Sequence, residues 1–492
     1  MQSIDKKYIY MNTIGCQMNV YDSERIIQSL QSLGYIESLS LDMADLIIVN
    51  TCTIRAKAEQ KAFSFLGRLA KIKKKKPGII IGVGGCMAQQ EGKNILERVP
   101  FIDIVFGTHA VERLPRHIEK IASKRYRVVD VEMTNEIEEL EHKESIIPKQ
   151  QVEEISCFLT IMRGCDNYCT YCVVPYVRGR EISRDPVSPY VRGREISRDP
   201  VSIVKEARKF VKTGVKEIFL LGQNVNSYGK KEELCSFHEL LSRVNNIEGL
   251  LRIRFTTSHP KDLTEDLMRA FANLDKLCHH IHLPVQSGSN DILKKMNRKY
   301  TRERYVEKIN QLRNICPEIA VTSDIIVGFP GETEDDFGQT LELIKLIEYD
   351  GLFAFQYSDR PNASASGLPD KISEKTKRDR LNELLEFQGH ITKKKNRVLI
   401  GTDQEVLVEG FSKKELKNNT TSKGLTYQLT GRTPANKIVN FVCDDKTTDH
   451  QEMVGQVASV RIEKAFSHSL WGKLVKNHSS LNKLKGEKSY AA

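Results

Sequence analysis

At 492 residues the chain is long enough for about three domains, and its 40% hydrophobic and 28% charged content is that of an ordinary soluble globular protein. No apolar run approaches the roughly 18 residues that span a bilayer, and the opening MQSIDKKYIYM lacks an apolar signal core, so no membrane partner and a cytoplasmic location are expected. The net charge of +11, with basic runs at KIKKKKPG (71–78) and from Lys473 to Lys488 and an acidic stretch at 132–154, suits an anionic partner such as nucleic acid. Each run taken singly is equally what a solvated surface looks like.

In chain order, KKYIYMNTIG (6–15) reads as a strand, and a helix with Ile26, Ile27, Leu30 and Leu33 on one face follows. ADLIIVN (44–50) is a continuous apolar strand of the kind buried on both faces of a parallel sheet. GIIIGVGG (78–85) and IDIVFG (102–107) repeat the pattern, so residues 5–121 read as a doubly wound α/β domain, and RYRVVDVE (125–132) in the segment that follows can add an edge strand. Three strands end in a cysteine: Cys16, Cys52 and Cys86. Loops after the C-terminal ends of parallel strands line one crevice, so these distant residues can converge into a three-thiolate site. Gly15, Gly84 and Gly85 beside them permit close backbone approach. The plainer alternative is three unrelated buried cysteines. Asn12, Asn19 and Asn50 read as turn and cap residues rather than ligands.

Residues 122–150 are polar, acidic and without periodicity, and read as a linker. A second αβ series starts at ISCFLTIMRG (155–164) and runs through KEIFLLGQ (216–223), LRIRFTTS (251–258), HHIHLPVQ (279–286), VTSDIIVGF (321–329) and LFAFQYS (352–358). Six β/α units predict a partial parallel barrel with its chemistry at the strand C-terminal ends. The loop after the first strand carries Cys165, Cys169 and Cys172 in a C-x3-C-x2-C spacing. Without secretory context such a triplet calls for a metal rather than disulfides. Structural zinc recruits four ligands in two pairs, and no second pair follows. Iron–sulfur cubanes take thiolates, and three of them leave one iron open to a small molecule.

Gln223 and Asn224, Ser258 and His259, Gln286 and Ser287, and Glu332 follow other strands. As a group they suit a polar cofactor, although singly each is as readily a turn or cap residue. The remaining cysteines, Cys157, Cys235, Cys278, Cys316 and Cys443, read as small buried apolar residues. EKTKRDRLNELLEFQGHITKKKNRV (374–398) reads as a basic amphipathic helix joining two domains. QEVLVEG, LTYQLTGR, KIVNFVC and GQVASVRIEKA then give alternating strands with glycine at the turns, a small all-β barrel of the oligonucleotide-binding type over 390–476. Arg432, Lys437 and Arg461 are candidate phosphate contacts, and 477–492 reads as a disordered basic tail.

The cysteine triplet is the signature of radical S-adenosylmethionine (SAM) enzymes. With GCQMNVYDSE, NTCTIR, GGCMAQ, GCDNYCTYCVVPYVRGREISR and GRTPANKIVNF, the chain resembles the radical SAM methylthiotransferases along nearly its whole length. Gln17-Met18-Asn19 after Cys16 makes it most similar to the branch acting on adenosine 37 of tRNA. Sister branches act on threonylcarbamoyl-adenosine or on a ribosomal-protein aspartate. The resemblance implies an N-terminal methylthiotransferase domain (5–121), a radical SAM domain (151–385) and a TRAM domain (390–476), an RNA-binding module. It implies two [4Fe-4S] clusters, one on Cys16, Cys52 and Cys86 and one on Cys165, Cys169 and Cys172, the latter binding SAM through its open iron. SAM contacts are expected at Gln223, Ser258, Gln286 and Asp324.

The implied reaction is methylthiolation of C2 of N6-(dimethylallyl)adenosine in the tRNA anticodon stem-loop. One SAM would yield a 5′-deoxyadenosyl radical and a second the methyl group, while the N-terminal cluster supplies or holds the sulfur. A one-electron reductant and a sulfur donor are implied partners, and a monomer is expected. The acidic linker is expected to leave the α/β domain over the barrel mouth, so that the two sites meet.

One feature departs from the family. Residues 175–188 and 189–202 both read PYVRGREISRDPVS, where the family pattern has one copy. The unit is too short for a solenoid. The first copy keeps its distance from Cys172 and the second its distance from the helix near Ile203. Lengthening a loop costs on the order of 1 kcal/mol, so the fold is expected to survive. Misplacement by about 1 Å near reacting atoms costs about 100-fold in rate. A catalytically impaired iron–sulfur tRNA-binding protein is therefore the alternative to an active enzyme.

Overall fold

A strand with no polar face must be covered on both sides, and ADLIIVN imposes that layering on the first domain. The computed structural model describes residues 6–53, 56–124, 126–133, 155–178, 196–230, 233–412, 427–442 and 451–475. Most of the acidic linker, the middle of the repeat (179–195), Cys443 and the basic tail lie outside the described residues. Strands β1 (Lys7–Ile14), β2 (Tyr35–Glu37), β3 (Leu46–Thr51), β4 (Ile80–Gly85), β5 (Ile104–Phe106) and β6 (Val128–Asp130) form one sheet in the order β2-β1-β3-β4-β5-β6, parallel throughout.

The connecting helices are α1 (Gln17–Gln31), α2 (Ala56–Lys75), α3 (Cys86–Glu91), α4 (Lys93–Arg98) and α5 (Leu114–Lys124). Leu46, Ile48 and Ile80 face Ile26 and Leu30 of α1 and Leu114, Ile118 and Ile121 of α5. Ile47, Val49, Ile81 and Val83 face Ala62, Leu66 and Leu69 of α2 and Met87 of α3. This is the doubly wound arrangement the sequence predicts. Edge strand β2 leaves no trace in the pattern, because only Tyr35 of its three residues is buried. Strand order reverses beside β1, so a crevice opens at the C-terminal ends of β1 and β3.

All six barrel strands predicted from sequence are present. β7 (Ser156–Thr160), β10 (Glu217–Leu221) and β11 (Arg252–Phe255) form one parallel sheet; β12 (His280–His282), β13 (Ala320–Val327) and β14 (Gly351–Gln356) form another. An isolated parallel bridge pairs Ile253 of β11 with Leu277, three residues ahead of β12. A short antiparallel pair, β8 (Met162–Arg163) with β9 (Ile196–Ser197), follows the first strand. Helices α6 (Val174–Val177), α7 (Pro200–Lys212), α8 (Phe237–Asn245), α9 (Glu265–Asn273), α10 (Asn290–Lys295), α11 (Arg302–Ile315) and α12 (Glu334–Ile347) complete the units. Helix α13 (Glu374–Arg397) does more than join domains: Leu384 is buried in the barrel core, and Arg380 pairs with buried Glu332 at 2.8 Å.

The repeat is divided between two roles. Pro175–Arg178 of the first copy form most of α6 and its end, whereas Ile196–Ser202 of the second copy form β9 and open α7, where Asp199 accepts from the Ser202 N–H. Together these stretches supply nearly one whole unit. Because the copies are identical, removing any 14 consecutive residues within 175–202 leaves the same single-copy sequence.

The C-terminal strands β15 (Asp403–Phe411), β16 (Gln428–Arg432), β17 (Ile438–Val442), β18 (Val457–Ala465) and β19 (Leu470–Leu474) close a barrel in the order β15-β16-β17-β19-β18 around Val406, Leu429, Phe441 and Val460. The three cations expected at phosphates are engaged within the protein. Arg432 pairs with Glu409, Lys437 with Asp350 at 3.1 Å, and Arg461 with Asp403. A seam to β11 explains part of this. Arg254 donates to the carbonyls of Thr433 (2.7 Å) and Pro434 (3.0 Å) and pairs with buried Glu217 at 2.7 Å. Arg254→Ala would strand the Glu217 carboxylate, and breaking such a buried pair costs about 3–5 kcal/mol. The expected result is a lower thermal midpoint with faster proteolysis within 397–475; an unchanged melt would reject this role for the seam.

Candidate metal centres and the barrel mouth

Each N-terminal cysteine stands directly beyond a strand. Cys16 is the N-cap of α1, Cys52 follows β3, and Cys86 begins α3 after β4. Their loops are pressed together by glycine. A Cβ on Gly15 would lie 2.8 Å from the Cys52 Cβ, and one on Gly85 (φ +89) would lie 2.5 Å from the Thr51 carbonyl oxygen. Asn19 of α1 and Asn50 of β3 bond to each other beside these loops: Asn19 Nδ2 donates to Asn50 Oδ1 (3.2 Å), and Asn50 Nδ2 donates to the Asn19 carbonyl (2.8 Å). Asn19, which also caps α1 by accepting the Cys16 N–H at 3.2 Å, thus cross-links the start of that helix to Asn50 at the end of β3.

The thiols are electrostatically uneven. Cys16 is held below the ordinary thiol range by a hydrogen bond with Cys52, against the effect of burial, with help from the Arg178 charge. Burial pushes Cys86 up, and burial together with the neighbouring Cys169 pushes Cys172 up to about 12. Thiols this buried ionise readily only beside a cation or metal.

The second set lies on the loop after β8. Gly164 (φ +81) and Tyr168 (φ +46) adopt left-handed backbone and wind the loop tightly. Arg298 Nη1 donates to Cys169 Sγ at 3.3 Å, Asn167 Nδ2 to Cys165 Sγ at 3.4 Å, and Asn297 Nδ2 to the Tyr168 carbonyl at 3.0 Å. Among the described residues no three Cys, His, Asp or Glu side chains gather as they would around one metal ion. A single tetrahedral ion with bonds of about 2.3 Å would draw thiolates to within about 4 Å of one another. A multi-iron cluster instead inserts its own bulk between them. The donor set, three thiols per site with N–H groups aimed at sulfur, fits such a cluster.

The barrel mouth holds polar atoms with nothing to bind. Ser258 Oγ, Asn224 Oδ1, His259 Nε2, Gln286 Oε1 and both amide atoms of Asn226 are buried and unpartnered among the described residues. Buried polar groups are nearly always satisfied, so this cluster calls for a polar ligand. Thr257 (φ +69) and Gln286 (φ +76) are both held in left-handed backbone at strand ends, strain of the kind found at ligand sites. His259 Nδ1 accepts the Lys261 N–H (3.2 Å), which leaves the proton on Nε2. Burial and the charges of Arg298, Lys261 and Lys308 push its pKa down to about 2, so it is a neutral donor.

Three family models match the chain: the Radical SAM superfamily over residues 159–344, uncharacterized protein family UPF0004 over 8–107, and the TRAM domain over 397–475. A tRNA-2-methylthio-N(6)-dimethylallyladenosine synthase of Desulfosudis oleivorans is 53% identical over 95% of this chain and 96% of its own. The synthase of that name from Syntrophus aciditrophicus is 46% identical over 96% and 95%. The chain belongs to the tRNA-2-methylthio-N(6)-dimethylallyladenosine synthase family. Among solved structures, the radical SAM methyltransferase TsrM from Kitasatospora setae, with cobalamin and a [4Fe-4S] cluster bound, shares the fold at a TM-score of 0.53 and 13% identity, covering 73% of this chain and 74% of its own.

Against this synthase family, the expected SAM contacts divide. Ser258 and Gln286 present unpartnered atoms at the mouth. Gln223 does not: its Oε1 accepts the Gly164 N–H at 2.6 Å, tying the cysteine loop to β10. Asp324 lies within β13, 3.4 Å from His282 Nε2. Sequence reasoning missed Asn226, Arg298 and Arg178. Asn226 sits two residues beyond the named Gln223-Asn224 pair, and only its proximity to them could have raised it. In metal-free protein, differential alkylation near neutral pH should modify Cys16 well before Cys86 and Cys172. Equal rates at Cys16 and Cys86, read by peptide mass analysis, would reject the uneven electrostatics.

Proposed function

We propose that this chain is an active synthase that methylthiolates C2 of N6-(dimethylallyl)adenosine 37 in tRNA. Cys165, Cys169 and Cys172 are the ligands of the SAM-binding [4Fe-4S] cluster, and Cys16, Cys52 and Cys86 those of a second. The observation that supports this reading is the packing of one cysteine set against the segment that bears the other: Cys86 packs against Val173 and Val177, immediately beyond Cys172. When bound, the clusters and SAM supply the one-electron chemistry that replacing an unactivated aromatic C–H requires, which no acid–base pair provides.

The protein's own residues bind and orient. Arg298 and Asn167 fix two cysteines through N–H···S bonds. Ser258, Asn226, Gln286 and neutral His259 offer buried polar atoms to SAM. Met18 and Tyr21 of α1 pack with Phe158, Phe219 and Leu221 of the barrel, closing one side with apolar surface that excludes water. C2 of an adenine is reached only when the base leaves its stack, which costs least in a single-stranded anticodon loop. A sulfur donor and a one-electron reductant complete the balance, and the synthase acts as a cytoplasmic monomer.

Anaerobic reconstitution with SAM, dithionite and tRNA should give 5′-deoxyadenosine and the 2-methylthio nucleoside, with Cys169→Ala losing both. Absence of 5′-deoxyadenosine would favour a non-catalytic iron–sulfur tRNA-binding protein. A methylthiolated threonylcarbamoyl-adenosine would move the chain to a sister branch. Since the described halves of the repeat supply nearly one unit, deleting 189–202 should leave product per cluster unchanged. A several-fold gain on deletion would mean that the repeat impairs the enzyme.

A further inference from the structure

One side chain reaches from the segment of the second cysteine set to a cysteine of the first. Arg178 ends the short helix six residues beyond Cys172, a separation under about 22 Å even if fully extended. It belongs in sequence to the radical SAM segment, yet its side chain is spent in the N-terminal domain, where it is only 4% exposed. Its Nε donates to Cys86 Sγ at 3.3 Å. Its Nη1 lies 2.7 Å from the buried Asp22 carboxylate on α1, a charge contact off the hydrogen-bonding direction. The backbone is clamped as well: the Arg178 carbonyl is 3.1 Å from His109 Nε2, and Thr108 Oγ1 donates to the Val177 carbonyl at 2.7 Å. Nη2 is buried and has no partner among the described residues.

Such burial of a guanidinium is costly unless strong acceptors surround it. Asp22 supplies one negative charge, and both N–H groups of Nη2 remain over among the described residues. Three ionised thiolates, together with any anionic sulfur held beside them, are the acceptors that would complete the set. Arg298 provides an internal comparison, because it bonds Cys169 in the same N–H···S manner but also reaches the Pro284 carbonyl and the Tyr171 and Tyr300 hydroxyls. Arg178, by contrast, combines a bonded thiol, a paired carboxylate and idle Nη2 N–H groups among the described residues.

We propose that Arg178 is a positioning residue of the Cys16/Cys52/Cys86 centre: it holds the Cys86 thiolate, raises the reduction potential of the cluster there, and keeps its Nη2 N–H groups for an anionic sulfur beside it. This rests on the reading of those cysteines as cluster ligands. A positive charge next to a cluster favours the reduced form, so removing it makes reduction harder, and removing the opposing carboxylate makes it easier.

The test uses the full chain with Cys165, Cys169 and Cys172 changed to Ala, reconstituted with iron and sulfide, and an EPR-monitored redox titration. Arg178→Met should retain iron and shift the midpoint to more negative potential, with Arg178→Lys between it and the parent. Asp22→Asn should shift the midpoint the opposite way. An unchanged midpoint in iron-loaded Arg178→Met overturns the proposal. If Arg178→Met cannot hold iron, Asp22→Asn decides: a positive shift supports the proposal and no shift overturns it. Loss of iron in both variants reduces Arg178 to a structural clamp and also overturns it. Failure of the parent itself to bind iron would instead remove the underlying cluster reading.

Discussion

Everything that matters chemically depends on one buried seam, where α1 and the three cysteine loops of the first domain meet the stretch that follows Cys172. Met18 and Tyr21 bring apolar area to Phe158, Phe219 and Leu221, while Arg178 and Asp22 bring charge. The apolar part supplies the driving force, at about 25 cal/mol per Å² removed from water. The ionic part is poor stabilisation by itself, because desolvating two charges offsets much of their attraction. Its value is geometric. A mispaired guanidinium in this seam would be far more costly than a paired one, so the two domains have one register in which they dock.

The same logic recurs on the other side of the barrel. Arg252 and Arg254 project from β11 into the turn at Arg432–Pro434, spending their donors on backbone carbonyls of the C-terminal barrel. Lys437, which looks like a phosphate contact in the sequence, is instead tied to Asp350 and Asn396. A basic residue in an RNA-binding domain is thus no guide to RNA until its intramolecular acceptors are known. The repeat follows the same principle from the opposite direction: its two halves keep their roles because Arg178 and Arg198 are each captured by fixed partners, Asp22 and Cys86 for one and Glu206 and the Thr160 carbonyl for the other.

Much of this was legible beforehand. Continuous apolar strands can only be interior, which dictated the doubly wound domain, and six β/α alternations dictated the partial barrel. The short strand β2 escaped because three residues of which only one is buried give no period to read. The bond from the Gly164 N–H to Gln223 Oε1 could not be read beforehand, since a strand-end amide can turn either toward a ligand or toward the neighbouring loop.

The sequence alone determined the layering, the two sets of three cysteines and the family, because apolar periodicity and cysteine spacing are local properties of the chain. Only the tertiary structure decided that Cys86 packs against Val173 and Val177, just beyond Cys172, and that Arg178 and Arg298 each take one sulfur. Those bonds join residues 92 and 129 positions apart, and a hydrogen bond between distant residues follows from how domains dock and leaves no periodic mark in either segment.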